Sequence, residues 1–385
     1  MAGELNIPES GNGLPDILNE AAWLPRFGYR LRRALIAKKY GTGGIGLRVC
    51  GDHFGGDTGP KDVGQGSWQD VDRTWTVSGE DPLSTYNYAA AVAQLAKCLQ
   101  IAGKADPEKV DWVSEAKEAY AWAQKNMRSG DEQKEGVVEA RARAAAMLFT
   151  VTGDRAYEDQ LRRDTANVTT TTQLLDIALH GPAVYVLGGG PTAQDPALLA
   201  KLRAAVLHTA DLQLESAQKR SLRWGGDWGM PMLIGQQSTP WVAAMAVGTV
   251  LTKTSDPQKS KAYLAAIYTT CDYFLGTNAL NQTYVTGLGA QSPRQVFHMD
   301  SWYSGKAQPI PGIVPYGPWR KNKDQGAGPW DSDWANKAVY PNIDEWGGAE
   351  RWMNNRCAPM NGEFTIHQNT APTAAIFGFL CGPRK

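Results

Sequence analysis

From Ser84 onward the chain is a succession of Ala- and Leu-rich segments with apolar residues at helical spacing, joined by short links. That periodicity restricts the fold more than any other feature. It predicts a helix from Tyr86 to Ile101 with Ser84 as N-cap, then helices over about 107–127, 137–152, 155–165, 171–187, 196–218, 240–254 and 258–276. An earlier helix opens at Gly11-Asn12-Gly13-Leu14-Pro15-Asp16, a turn followed by proline and an acid in the first helical turn. Leu14, Ile17, Leu18, Ala21 and Ala22 continue it at helical spacing, and Pro25 is expected to kink or end it. Short links make successive helices antiparallel neighbours, so the expected class is all-α, built of helical hairpins. No repeat recurs at a fixed period, which argues against a solenoid. A closed ring of hairpins, with long loops forming a cleft at one end, fits best. Convincing strand alternation is absent until the loops near 283–288 and 313–316.

Those long loops hold the unusual composition. The chain has 14 Trp beside 41 Gly and 22 Pro, and flat indole faces suit stacking on sugar rings as well as packing in a core. Residues 41–83 read as one irregular segment containing Asp52, Asp57, Asp62, Asp70 and Asp72 among Trp68 and Trp75. A loop of that length inside a domain is usually functional. Its aspartates allow a structural calcium, although no Asp-x-Asp-x-Asp-Gly loop occurs. Lys+Arg and Asp+Glu are equal at 39 each. Zero formal charge argues against nucleic acid or an anionic membrane as partner and favours a neutral polymer or small neutral substrate. The five cysteines are dispersed without a CxxC, and no signal peptide or transmembrane run is visible.

Near the end, Asn361-Gly362-Glu363-Phe364-Thr365-Ile366-His367-Gln368-Asn369-Thr370 gathers a carboxylate, an imidazole and amides before an apolar closing segment, Ala371 to Cys381. Two roles are open for Glu363. Held between a wet aromatic loop and a buried helix, it would have a raised pKa and suit general acid catalysis. Alternatively it caps the closing helix.

Three segments, in order, resemble glycoside hydrolase family 9, the cellulase family. Leu5-Asn6-Ile7-Pro8-Glu9-Ser10-Gly11-Asn12-Gly13-Leu14-Pro15-Asp16-Ile17-Leu18 resembles its I-P-E-S-G-N-G-x-P-D-[IL]-L segment. Asp272-Tyr273-Phe274-Leu275-Gly276-Thr277-Asn278-Ala279-Leu280, continuing Tyr284-Val285-Thr286-Gly287-Leu288-Gly289, resembles D-Y-[IL]-L-G-x-N-P-L-x-x-S-Y-V-T-G-F-G. The Glu363 stretch is similar to the N-E-x-x-x-x-x-N-A segment that carries the family's acid. The resemblance implies an (α/α)6-barrel, a single catalytic domain over 1–385, and inverting hydrolysis of a β-linked glucan or related plant polysaccharide with Glu363 as proton donor. It also implies a secreted or periplasmic location and no organic cofactor.

Departures accompany it. Ser292-Pro293-Arg294-Gln295-Val296-Phe297-His298-Met299 stands where the family has S-P-x-x-P-H-H-R, so only His298 is kept for substrate contact. The family's base and its helper lie in an Asp-Ala-Gly-Asp segment preceding the first motif, and no such segment occurs in this chain. The expectation is a barrel incomplete at its N-terminus, lacking its first hairpin, with exposed apolar faces that favour oligomers. Asp52, Asp57 and Asp300 are the candidate replacement bases. Trp224-Gly225-Gly226-Asp227-Trp228-Gly229 resembles the family's W-G-S loop. It makes Trp224 and Trp228 candidates for sugar binding alongside Trp302, Tyr303, His367 and Asn369. His367, four residues after Glu363, would share its face if that segment were helical. The competing readings are a sugar-binding remnant without a base and, more remotely, a polysaccharide lyase.

Overall fold

The computed structural model describes residues 5–52, 66–69, 73–226, 241–305, 309–318, 339–356 and 358–382. The chain forms two compact units, Met1–Asp52 with Thr74–His208, and His53–Arg73 with Thr209–Lys385.

In the first unit, α1 (Asp16–Ala37) runs through Pro25 without ending. Proline forfeits one bond to the carbonyl four residues back; that residue, Ala21, is exposed, where water can satisfy the carbonyl. The turn before α1 is built by the first motif itself. The carboxylate of buried Asp16 accepts from Ser10 Oγ at 2.7 Å and from the Leu5 amide at 2.9 Å, and the Asn12 and Asn19 side chains bond each other. Next come α2 (Pro82–Ala102), α3 (Trp112–Lys125), α4 (Glu135–Thr152), α5 (Arg155–Asp164) and α6 (Asp176–Leu187). The N-cap of α2 is Asp81, whose side chain accepts from the Ser84 amide at 2.8 Å. Ser84, the expected cap, is therefore inside the helix. A carboxylate outdoes a hydroxyl there because it brings a full charge to the helix's positive end.

Helix α2 packs on α3 and α4, and α4 on α5 and α6. Their buried faces are rich in small residues, Ala89, Ala90 and Ala93 on α2 and Ala140, Ala144 and Ala145 on α4, which lets helix axes approach closely. Two antiparallel pairs of short strands, β1 (Ile45–Gly46) with β4 (Glu80–Asp81) and β2 (Val49–Gly51) with β3 (Trp75–Val77), interrupt the helices. At two or three residues they are too short to show alternation in the sequence.

A buried charge cluster ties α1, α2 and α3 together. The Arg32 guanidinium pairs with Glu115 and donates to the Gly43 carbonyl at 2.8 and 2.6 Å, while Tyr88 donates to Glu115 at 3.0 Å. Arg33 also meets Glu115 from the solvent side.

Helix α7 (Pro196–Lys219) ends in the second unit, which continues with α8 (Ala243–Thr252), α9 (Pro257–Leu275), the short α10 (Met299–Tyr303) and a closing helix, Ala375–Cys381. Its core gathers Trp224, Tyr273, Phe274, Tyr284, Val314 and Trp352. The second motif serves this core. Asn278 donates to the carbonyls of Tyr273 and Gln282 at 2.8 Å each, closing the end of α9 and turning the chain back so that the Tyr284 amide reaches Phe274. The segments near 283–288 and 313–316 meet through bonds between Thr286 and Ile313 and between Gly312 and Thr286, without forming strands. Among the described residues no helix is long and apolar enough to cross a membrane.

Removing one member of a buried ion pair strands the other charge, at about 3–5 kcal/mol. Glu115→Ala is therefore expected to destabilise the fold by that amount in urea unfolding. Glu118→Ala, which removes only the exposed contact to Arg33, should change it by less than about 0.5 kcal/mol.

Candidate active site

Glu363 lies in an extended stretch between two single helical turns, Pro359–Gly362 and Ile366–Gln368. It does not cap the second of these turns: Thr365 is the N-cap, its hydroxyl accepting from the Gln368 amide at 3.2 Å. The two backbone carbonyls that flank the Glu363 Cα fix two other segments. Gly362 O accepts from the Phe297 amide and Glu363 O from the Tyr316 amide, each at 2.8 Å. Gly362 is required at its position, since a Cβ there would meet the Asn355 carbonyl at 2.9 Å and the Arg356 backbone at 3.1 Å. The Glu363 side chain is half-buried, and desolvation pushes its carboxyl above the ordinary glutamate range. Buried Tyr316 stands beside it, its phenol raised first by burial and then by the Glu363 charge.

The Phe297 bond brings the Ser292–Met299 segment onto the acid stretch, and the His298 ring packs on Phe364 with centroids 6.0 Å apart. His298 is also the N-cap of α10. The Ser301 amide donates to its Nδ1 at 3.2 Å, which assigns the imidazole proton to Nε2. Two residues on, Asp300 accepts from the Ser67 amide at 2.6 Å and from its hydroxyl at 2.5 Å. These two bonds hold the Asp300 carboxyl below the usual range, so it is ionised at neutral pH.

Beside α10 an aromatic surface forms. Trp302 and Tyr303 stack with an interplanar angle of 7° and centroids 5.8 Å apart, and Phe297 meets Trp302 edge-on. The Arg356 guanidinium lies over Trp302 at 4.5 Å and donates to Gln295 at 2.7 Å. Trp302 keeps 40% of its surface exposed.

The other expected site residues are placed differently. Trp224 is only 5% exposed, stacked on Tyr273 with Arg220 over its ring at 3.9 Å, so it is a core residue with no face for a sugar. Asn369 is a backbone clamp: its Oδ1 accepts from the Val314 amide at 2.7 Å, and its Nδ2 donates to Val314 O at 3.0 Å and Thr365 O at 2.9 Å. His367 does not share a helical face with Glu363, because residues 363–365 are not helical; its exposed ring instead lies 5.4 Å from that of Trp241. Asp52 belongs to the first unit, where it accepts from the Thr74 amide at 3.1 Å. Asp57 and Trp228 lie outside the described residues, as does most of the aspartate loop on which the calcium expectation rests. Ser67, Tyr316 and Arg356 carry no motif, and the sequence reading missed them; Phe364 lies in the acid stretch but was given no role there. Ser67 reaches Asp300 across 233 positions, a pairing no local pattern reveals.

A single hydrogen bond contributes about 1 kcal/mol, and a buried amide left unpaired costs more. Asn369→Ala, which removes three, should cost about 2–4 kcal/mol in chemical denaturation; a loss under about 0.5 kcal/mol would show that the amide is no clamp.

Residues 43–376 match the family model described as Glycosyl hydrolase family 9. Among characterised relatives, Endoglucanase D of Acetivibrio thermocellus is 24% identical over 397 residues, covering 98% of this chain and 55% of its own length. The Xyloglucan-specific endo-beta-1,4-glucanase BoGH9A of Bacteroides ovatus is 24% identical over 343 residues, covering 82% of this chain and 54% of its own. The chain thus spans about half the length of these curated relatives. Among solved structures, a metagenome-derived glycoside hydrolase family 9 endoglucanase aligns with a TM-score of 0.71 at 23% identity, over 99% of this chain and 63% of that one. A Bacteroides ovatus GH9 structure aligns at 0.68 and 19% identity, over 98% and 65%.

Proposed function

The chain belongs to glycosyl hydrolase family 9, its helical fold is of the (α/α)6 class those solved structures share, and on that footing we propose that it hydrolyses a β-linked glucan or related plant polysaccharide, with Glu363 as the general acid. The observation that carries this reading is the half-buried Glu363, raised by desolvation and gripped through its own backbone between Phe297 and Tyr316. A raised pKa keeps the carboxyl protonated toward neutral pH, ready to protonate the glycosidic oxygen as the bond to the leaving sugar breaks. The relatives are named for glucan and xyloglucan cleavage, and the neutral charge balance suits such a substrate.

Inversion then requires a second carboxylate that deprotonates water on the opposite sugar face. Asp300 has in its favour an ionised side chain next to His298 and a fixed orientation set by Ser67. The Nε2–H of His298 is a donor for a sugar hydroxyl, and Trp302 with Tyr303 offers a stacking surface. The family resemblance also favours a secreted or periplasmic setting, where such polymers are met.

Reducing-sugar release from soluble β-glucan tests this directly. Glu363→Gln should lower turnover by about 10²–10⁴-fold, the scale of a general acid's contribution. Because the acid must be protonated and its pKa is raised, kcat/KM of the native chain should fall as pH rises through a value above the ordinary glutamate range. Loss of the same order in Asp300→Asn assigns it as base, and near-native turnover in that variant excludes it. A chain that binds glucan with no turnover at any pH would instead be a sugar-binding remnant.

A further inference from the structure

One guanidinium beside the acid stretch is held in place yet left with donors to spare. Arg356 packs its backbone against Gly362, the residue before Glu363: a Cβ at 362 would lie 3.1 Å from Arg356 Cα. Its Nε donates to Gln295 at 2.7 Å, and its guanidinium carbon lies 4.5 Å from the Trp302 ring centre. These contacts tie it to the His298 segment and to α10. The two Nη groups make no hydrogen bond among the described residues, and neither is sealed from solvent. Nor does any described carboxylate lie within ion-pair distance, in contrast to Arg26, Arg32, Arg141 and Arg155, each of which meets one. Gln295 and the indole thus fix a flexible side chain before any ligand arrives, which lowers the entropic cost of binding one.

The sequence supplies a second reason. Met299 stands where the resembling family segment ends in arginine, and a thioether has no proton to donate. The fold returns a guanidinium to this segment from a different stretch of chain. We propose that Arg356 is a substrate-binding residue of the site, its two Nη groups donating to neighbouring hydroxyl oxygens of a glucose-type ring that lies along the Trp302 and Tyr303 surface. The Nη pair presents its N–H groups as a rigid fork, and adjacent ring hydroxyls offer it two acceptor oxygens. A neutral diol satisfies that fork without adding negative charge beside ionised Asp300, which shares α10 with Trp302. A carboxylate-bearing sugar would add such a charge. The inference rests on the glucan-cleaving reading above and adds one residue to that site.

Calorimetry with cellotetraose tests the assignment in a Glu363→Gln background, where binding is read without hydrolysis. Adding Arg356→Lys keeps a cation over the indole but removes the fork, so thermal melting should not move. The dissociation constant is expected to rise about 10–100-fold, the scale of hydrogen bonds from a charged group. In the native background the same substitution should raise KM for soluble β-glucan by a similar factor, with kcat changed less than about threefold. A side chain that only braced Trp302 would be replaced by lysine with neither constant moved, and that result overturns the proposal. So does a Glu363→Gln chain that binds no cellotetraose. Tighter binding of a glucuronate-substituted xylo-oligosaccharide than of cellotetraose, lost on Arg356→Lys, would make a carboxylate the ligand and overturn it too. The binding arm needs no turnover. A chain that holds cellotetraose through Arg356 yet never cleaves glucan would therefore refute the glycosidase reading and leave this assignment standing.

Discussion

Two backbone hydrogen bonds flank one carboxylate, and the candidate site depends on them. The Phe297 amide donates to Gly362 O and the Tyr316 amide to Glu363 O, the two carbonyls that flank the Glu363 Cα. Three segments far apart in sequence thereby converge on a side chain that is neither free in water nor sealed in a core. Such an environment raises a glutamate's pKa by desolvation, without an opposing charge. The surrounding contacts keep the arrangement rigid. Asn369 bonds the Val314 backbone, the Trp352 indole donates to Tyr316 O at 3.0 Å, and the Asn361 amide donates to Gly317 O at 2.9 Å. Preorganisation of this kind is what catalytic geometry requires of the fold beneath it.

The helices were legible because each is long enough to show its period. Helices α2, α4, α7 and α9 fall within a few residues of the expected ranges, and the small residues that betrayed them in the sequence are those that let α2 and α4 approach. Boundaries were legible only where the cap is unambiguous. Asp81 and Ser84 are both reasonable N-caps, and charge decided between them. Pro25 does not end α1, since its cost depends on what the freed carbonyl can meet, and Ala21, which carries that carbonyl, is exposed.

The site was legible in part. Glu363 and His298 came from motifs, and the structure brings their segments together. The motif residues Asn12, Asn278 and Asn369 turned out to bond backbone or neighbouring side chains, so part of what looked like a functional signature preserves architecture. Tryptophan is ambiguous for a physical reason: the same indole that stacks on a sugar also fills a core. Trp224 and Trp302 have similar claims in sequence, yet one is packed between Arg220 and Tyr273 and the other is substantially exposed. Ser67 and Tyr316 act through contacts made only once the chain is folded, and nothing adjacent to them announces a role.

The central claim is that Glu363 delivers a proton to the leaving oxygen, and the leaving group itself can report on that. Glu363→Ala would be assayed on soluble β-glucan and on an aryl β-cellobioside whose dinitrophenolate departs without protonation. The account predicts a loss on glucan exceeding the loss on the aryl substrate by at least about 10²-fold, because only the first reaction needs an acid. Equal losses on both substrates would contradict it and assign Glu363 to binding or to structure.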